Sequence, residues 1–290
     1  MTSQALLNPT DAELGVAVEE NLFAFFRAMS GLPGSELVET PELSYHHAFP
    51  TNPMFKGVWA TGLPSERLDD AIEETIAWFD EREAPFLFWW TGPTTRPPEL
   101  RERLAARGLI SMEEQAGALV PGLKAHAQGA PAMAADLHEV NEEVLRQAPD
   151  GFSIEEVRDE AALADFKRVL LGSYGMPEFA AQAWVDATST YGLGRTPWRL
   201  YLGRLDGQAV ATNLVFDGGG VASVYAIGTL PEVRGKGIGG AITLGPLLEA
   251  RDEGYRHAVL FSSAMGVHAY ERIGFRLLDA WIDRYMWRKA

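Results

Sequence analysis

Arg234-Gly235-Lys236-Gly237-Ile238-Gly239-Gly240 alternates glycine with other residues between a strand-like run, Val221 to Thr229, and a helix-like run, Ala241 to Arg251. Glycine has no Cβ, so a ligand can lie against the backbone there. The first turn of a helix offers free N–H groups and a partial positive charge, which together suit an anion. Arg234 and Lys236 add cationic donors beside it. The chemistry within reach of such a stretch is the holding of a phosphate-bearing cofactor. On spacing alone an ordinary strand-to-helix turn fits as well, because a lone glycine pattern is weakly specific. Two familiar phosphate loops fit poorly. No G-x-x-x-x-G-K-[ST] string occurs, and a dinucleotide fingerprint would open a βαβ unit with an acid about twenty residues later.

The wider stretch from Ala226 to Gly240 resembles the acyl-CoA loop of the GCN5-related N-acetyltransferases, with Arg234, Gly237 and Gly239 matching [RQ]-x-x-G-x-[GA]. Further along, Ala269-Tyr270-Glu271-Arg272-Ile273-Gly274-Phe275 resembles that family's helix-borne Tyr-x-x-x-Gly-Phe motif, which a strand follows. The resemblance covers the C-terminal half. It implies an α+β fold, a mixed, mainly antiparallel sheet flanked by helices. It also implies an N-acetyltransferase that moves acetyl from acetyl-CoA to a primary amine by direct attack in a ternary complex, without a metal. Backbone N–H groups of Gly235, Lys236, Gly237, Ile238, Gly239 and Gly240 would hold the pyrophosphate, and Arg234 would position the loop. The strand from Tyr225 to Thr229 would splay from Ala258–Phe261, so that pantetheine pairs with the edge at Ile227 and Thr229. Gly228 suits a bulge or a close backbone approach. Tyr270 would donate a proton to the departing thiolate, as a phenol of ordinary pKa ~10 can at neutral pH.

The sequence departs from the family pattern in two places. Val224 to Thr229 carries no carboxylate where many relatives place a glutamate base. Glu232, Asp217, or a water chain reaching Tyr225, Asn213 or a carboxylate stand as alternatives for the base. Ser263 stands where many relatives have asparagine. It is expected to cap a helix starting near Ala264, with a cofactor contact as its second role. Tyr174, Met176 and Tyr225 are the expected lining of the acceptor side, with Trp184, Trp198, Trp281 and Trp287 nearby and mostly in the core. His46, His47 and His257 show no metal-ligand spacing, and His268 faces away from Tyr270. A CoA-binding sensor or interaction module without turnover is the alternative reading.

The elements that would position these residues follow from periodicity and turn signals. Residues 149–290 read as strand Phe152–Val157, helices Ala161–Leu171 and Glu178–Thr188, and a hairpin Trp198–Arg204 with Gln208–Phe216. A turn at Asp217–Gly220, the glycine loop and its helix, strand Ala258–Phe261, a helix through Tyr270, and closing strands near Phe275 and Trp281–Trp287 complete that half. Residues 1–148 read as a degenerate acetyltransferase-like copy lacking the CoA loop, giving two tandem copies. Setting Gly108-Leu109 against Gly274-Phe275 puts Leu104 where Tyr270 stands.

Residues 1–150 carry 24 acidic and 10 basic side chains, against 16 and 15 in residues 151–290. An acidic first half without a basic stripe argues against nucleic acid as a partner. The chain has no cysteine, which excludes disulfides and thiol catalysis. No apolar run is long enough to span a bilayer and no secretory signal is evident, so a cytoplasmic location is expected. The expected partner is an amine acceptor, with no membrane. Exposed edge strands make a homodimer a further expectation.

Overall fold

Thr10 and Glu13 bond to each other's backbone and start helix α1, Asp11–Met29, a reciprocal cap that satisfies two donors the helix cannot. In the computed structural model, which describes residues 5–49, 51–112, 129–263 and 266–289, the first half continues with β1 (Glu36–Glu39), β2 (Ser44–His47), β3 (Lys56–Trp59), α2 (Leu68–Glu81), β4 (Phe86–Thr91), α3 (Leu100–Ala106), β5 (Ile110–Ser111) and β6 (Ala130–Asp136). The second half runs β7 (Phe152–Glu156), α4 (Glu160–Tyr174), α5 (Glu178–Tyr191), β8 (Trp198–Leu205), β9 (Gln208–Gly218) and β10 (Val221–Thr229). It ends with α6 (Ile238–Asp252), β11 (His257–Phe261), α7 (Val267–Ile273) and β12 (Arg276–Arg288). The strands form one sheet in the order β1-β2-β3-β4-β12-β6-β11-β10-β9-β8-β7, with β5 also on β12. Only β3–β4 and β10–β11 among these pairs are parallel, so the sheet is mixed and mainly antiparallel, as expected.

Among the described residues, three apolar cores flank the sheet. One lies under α1, α4 and α5 and holds Phe25, Phe166, Trp198 and Leu214. A second lies under α6 and α7 and holds Met133, Ile242, Leu247 and Phe275. A third, under α2 and α3, holds Ile72, Phe79, Leu87, Trp89 and Leu104.

The two halves exchange a strand. β6 lies between β11 and the first part of β12. The last part of β12, Asp283–Arg288, lies against β4, with Tyr285 and Met286 also on β5. Strands thus cross the division between residues 148 and 149 in both directions. The two closing strands read near Phe275 and Trp281–Trp287 are one strand. An irregularity between Leu277 and Trp281 bends it from one part of the sheet into the other; such irregularities raise local twist and re-aim a strand.

The halves also repeat local geometry. Leu109 donates its N–H to the Leu104 carbonyl at 3.1 Å and Phe275 to that of Tyr270 at 3.1 Å. Both steps pass through a left-handed glycine, Gly108 and Gly274. Leu104 therefore stands where Tyr270 does.

Candidate functional site

The parallel ladder between β10 and β11 covers Ala222 against Ala258 and Ser223 against Val259. β10 runs on to Thr229 along β9, with a bulge between Tyr225 and Gly228. Ala226 inside the bulge has φ of 50°, a conformation L-residues seldom adopt. The strands therefore part beyond Ser223, and the bulge turns β10 away from β11. The expected bulge ends at Gly228, and a Cβ there would overlap Ser173 Oγ of α4, so the close approach is by a side chain and not by backbone.

After β10 the chain makes a 3₁₀ turn, Pro231–Val233, and reaches the glycine loop. The Arg234 guanidinium donates Nε to the Thr229 carbonyl at 3.1 Å and Nη2 to the Ser173 carbonyl at 2.8 Å. It braces the loop against the end of β10 and the end of α4. Gly235 and Gly237 have φ of 76° and 81°. A Cβ on Gly237 would run into the Gln147 carbonyl, so the loop sits on the 3₁₀ turn Glu142–Gln147 that links the halves. Ile238 and Gly239 then open α6, which has no side-chain cap and no acidic residue in its first turn. Its first N–H groups lack a side-chain acceptor, and Gly235 has no atom within 4 Å of where a Cβ would project. Lys236 is exposed. These residues fit a diphosphate: open donors, a positive helix end and a loop without side-chain obstruction.

Tyr270 lies on α7, its ring edge-on to Phe275 at 5.9 Å. Burial pushes its phenol up to about 12, so it keeps its proton at neutral pH. Among the described residues, its hydroxyl makes no hydrogen bond. Ile227 and Tyr270 pack on the same apolar cluster, the one beneath α6 and α7.

Other expectations need correction. Ser263 does not cap: it is exposed, and α7 begins at Val267 with Gly266 at the cap position and no side-chain cap. Ala264 lies outside the described residues. Ser263 instead uses its carbonyl, which accepts from Ser262 Oγ at 2.8 Å and from the Gly266 N–H at 2.9 Å. Asn213 and Tyr225, two alternative ends for a water chain, lie on opposite faces of the sheet. Asn213 Nδ2 donates to the Ile242 carbonyl of α6 at 2.8 Å. Tyr225 packs on the other face, stacked on Phe25 of α1 at 5.1 Å, and donates its hydroxyl to Asn21 Oδ1 at 2.7 Å. Asp217 is beside Ala222, at the opposite end of β10 from the bulge. It pairs with Arg199 at 2.8 Å, and burial still pushes its carboxyl up to about 6. Glu232 is exposed in the 3₁₀ turn. Met176 is half-buried against the core under α4 and α5. Tyr174 closes α4; its side chain lies outside the described residues.

Sequence reasoning missed the contribution of the first half. Asn21 of α1 donates to the carbonyls of Phe216, Gly218 and Val221 at 3.2, 2.9 and 3.3 Å, which locks α1 onto the β9–β10 turn. Rings from several elements meet below the splay. Tyr225 is 6.2 Å from Phe261 of β11, and Phe261 is 6.2 Å from Trp90 of β4. Nothing in the sequence distinguished these rings from ordinary core.

No family model and no curated protein matches the chain. Solved structures do. A GCN5-related N-acetyltransferase from Kribbella flavida superposes with a TM-score of 0.65 at 16% identity, over 92% of this chain and 94% of that one. A GCN5-related N-acetyltransferase from Sphaerobacter thermophilus gives 0.59 at 14% identity, over 98% and 94%. A tandem GNAT protein from the clavulanic acid biosynthesis pathway gives 0.56 at 12% identity, over 99% and 90%. With the splayed strands, the open helix end and the exchanged halves, these likenesses establish that this chain has the fold of the GCN5-related N-acetyltransferases.

Proposed function

We propose that this chain is an acetyl-CoA-dependent N-acetyltransferase whose second half carries the chemistry. The observation that carries this reading is the uncapped start of α6 beside the point where β10 leaves β11. Acetyl-CoA supplies an acetyl group activated as a thioester. Backbone N–H groups from Gly235 to Gly240 hold the diphosphate, with Lys236 adding charge. The edge of β10 at Ile227 and Thr229 takes pantetheine as an added strand. An N–H of this segment polarises the acetyl carbonyl. Tyr270 gives its proton to the departing sulfur, and its raised pKa keeps that proton available across the neutral range.

The lack of a carboxylate from Val224 to Thr229 favours a second reading, a module that binds CoA without turnover. Calorimetry with acetyl-CoA, followed by thiol release with a panel of primary amines, separates the two. Binding with acceptor-dependent thiol release supports the transferase; binding without it for any amine supports the second reading; no binding sinks both.

A further inference from the structure

Helix α6 carries a proline in its interior, Pro246. Proline has no N–H, so the Ile242 carbonyl, one turn earlier, loses the donor that an uninterrupted helix would give it. Ile242 and Pro246 are both buried, so water does not make up the loss. Asn213 of β9 does. Its Nδ2 donates to that carbonyl at 2.8 Å. The amide is fully buried, and its Oδ1 has no hydrogen-bond partner among the described residues. A carbonyl only accepts, so the amide nitrogen must face it. The chain thus bears an unpaired buried acceptor to keep this one donor, a cost that a leucine of much the same volume would avoid.

Asn213 also stands at the bulge. Tyr225 pairs with Leu214 and Gly228 with Thr212, so Ala226 and Ile227 together face Asn213 alone. That two-against-one count is the bulge that turns β10 away from β11. The residue before it, Thr212, donates Oγ1 to the Ala226 carbonyl at 2.9 Å. Consecutive residues of a strand point to opposite faces. β9 therefore holds the bulge with Thr212 on one face and α6 with Asn213 on the other. The tie falls in the first part of α6, Ile238 to Gly245, which precedes the proline and carries the open N–H groups of the helix start. Helices bend where a proline removes a rung. Asn213 fixes the part that could tilt to the strand that shapes the bulge.

Resting on the acetyltransferase reading, we infer that Asn213 is a positioning residue for the cofactor. It acts through α6 and not by contact with acetyl-CoA. By replacing the hydrogen bond that Pro246 removes, it sets the spacing between the diphosphate donors at the start of α6 and the β10 edge at Ile227 and Thr229. Diphosphate and pantetheine belong to one molecule, so both contacts form together only when that spacing matches the ligand. A helix start free to tilt would have to be ordered during binding, which costs affinity.

The test is a double-mutant cycle read by calorimetry with acetyl-CoA on the folded protein. Wild type comes first; absence of binding overturns the acetyltransferase reading, and this inference with it. Asn213→Leu keeps the volume and deletes the donor. It should raise the acetyl-CoA Kd about tenfold, the worth of one net hydrogen bond. Pro246→Ala supplies an N–H at position 246 for the Ile242 carbonyl. In that background Asn213→Leu should cost less than about threefold, because the carbonyl already has its donor. Should Asn213→Leu alone not fold, Asn213→Ala, which also lacks the donor, takes its place. Urea unfolding is measured alongside. A residue that only stabilises the fold would lower the unfolding midpoint and leave Kd unchanged. That outcome, or an equal loss of affinity in both backgrounds, overturns the inference while leaving the transferase reading intact.

Discussion

Ala60 and Ala226 occupy the same place in the two halves. Both have positive φ, 52° and 50°. Each follows an aromatic residue that packs on α1: Trp59 on Phe26 at 5.2 Å, and Tyr225 on Phe25 at 5.1 Å. Each also leads through Gly and Leu-Pro into a 3₁₀ turn. Trp59-Ala-Thr-Gly-Leu-Pro64 and Tyr225-Ala-Ile-Gly-Thr-Leu-Pro231 differ in length by one residue. Beyond that point the halves diverge. The second inserts Arg234 to Gly237 before its helix, whereas the first enters α2 directly with Asp69 and Asp70 in its first turn. The β3 edge past Ala60 is also taken: Arg96 N–H donates to the Thr61 carbonyl at 2.8 Å, and Leu63 N–H to that of Arg96 at 3.1 Å. The chain itself thus fills the first-half counterpart of the β10 edge proposed to take pantetheine.

Acetyl-CoA is therefore expected to bind once per chain. Calorimetric stoichiometry near one, with no residual binding in a Gly237→Glu variant that folds, checks this. A second equivalent would mean that the first half also binds the cofactor.

Gly235→Ala and Gly237→Ala should differ. Both glycines have positive φ, which costs an alanine roughly 1–2 kcal/mol, but only at Gly237 does the new Cβ meet the Gln147 carbonyl. Urea unfolding should show the larger loss for Gly237→Ala, by about 1 kcal/mol or more beyond the first.

Tyr270→Phe keeps the packing on Phe275 and removes the proton. Turnover should fall by roughly 10²–10⁴ with the acetyl-CoA Kd nearly unchanged. With the phenol near about 12, wild-type turnover should show no loss attributable to Tyr270 ionising below pH 10. An activity decline that disappears in Tyr270→Phe would contradict the assignment.

Two buried charges give stability opposite slopes with pH. Glu19 is 1% exposed, and burial raises its pKa. Its folded form keeps a proton that the unfolded chain loses above the ordinary value of 4.5, so stability falls as pH rises past that value. Lys56 donates to the carbonyls of Ala48, Phe49, Asn52 and Met54. Burial lowers it from 10.5 to about 7, so between those values the unfolded chain holds the extra proton and stability rises with pH. Glu19→Gln should raise Tm at pH 8 and flatten the fall. Lys56→Met should lower Tm and flatten the rise between pH 7 and 10. Thermal unfolding across pH 4–10 reads both.

The loop and the Tyr270 helix were legible because they are local. Left-handed glycines and a Gly-Phe step mark backbone conformations that a few adjacent residues dictate. The strand exchange was not, since β pairing joins residues far apart in sequence, and β6 and β12 carry the same alternation whichever neighbour they take. Which face Asn213 and Tyr225 each take was not legible for want of register: Tyr225 pairs with Leu214, which turns Asn213 to the other face. Trp90, Phe261 and Phe25 read as core because apolarity alone does not say which ring stands beside a gap between strands.

The exchange of β6 and β12 also sets the order in which this protein can mature. While the ribosome is still translating β12, the first half lacks the strand that should lie between β4 and β5, so a nascent first half presents open edges that could capture another chain. Expressing either half alone reproduces that state permanently, and co-expressed fragments should recover solubility only when both are present.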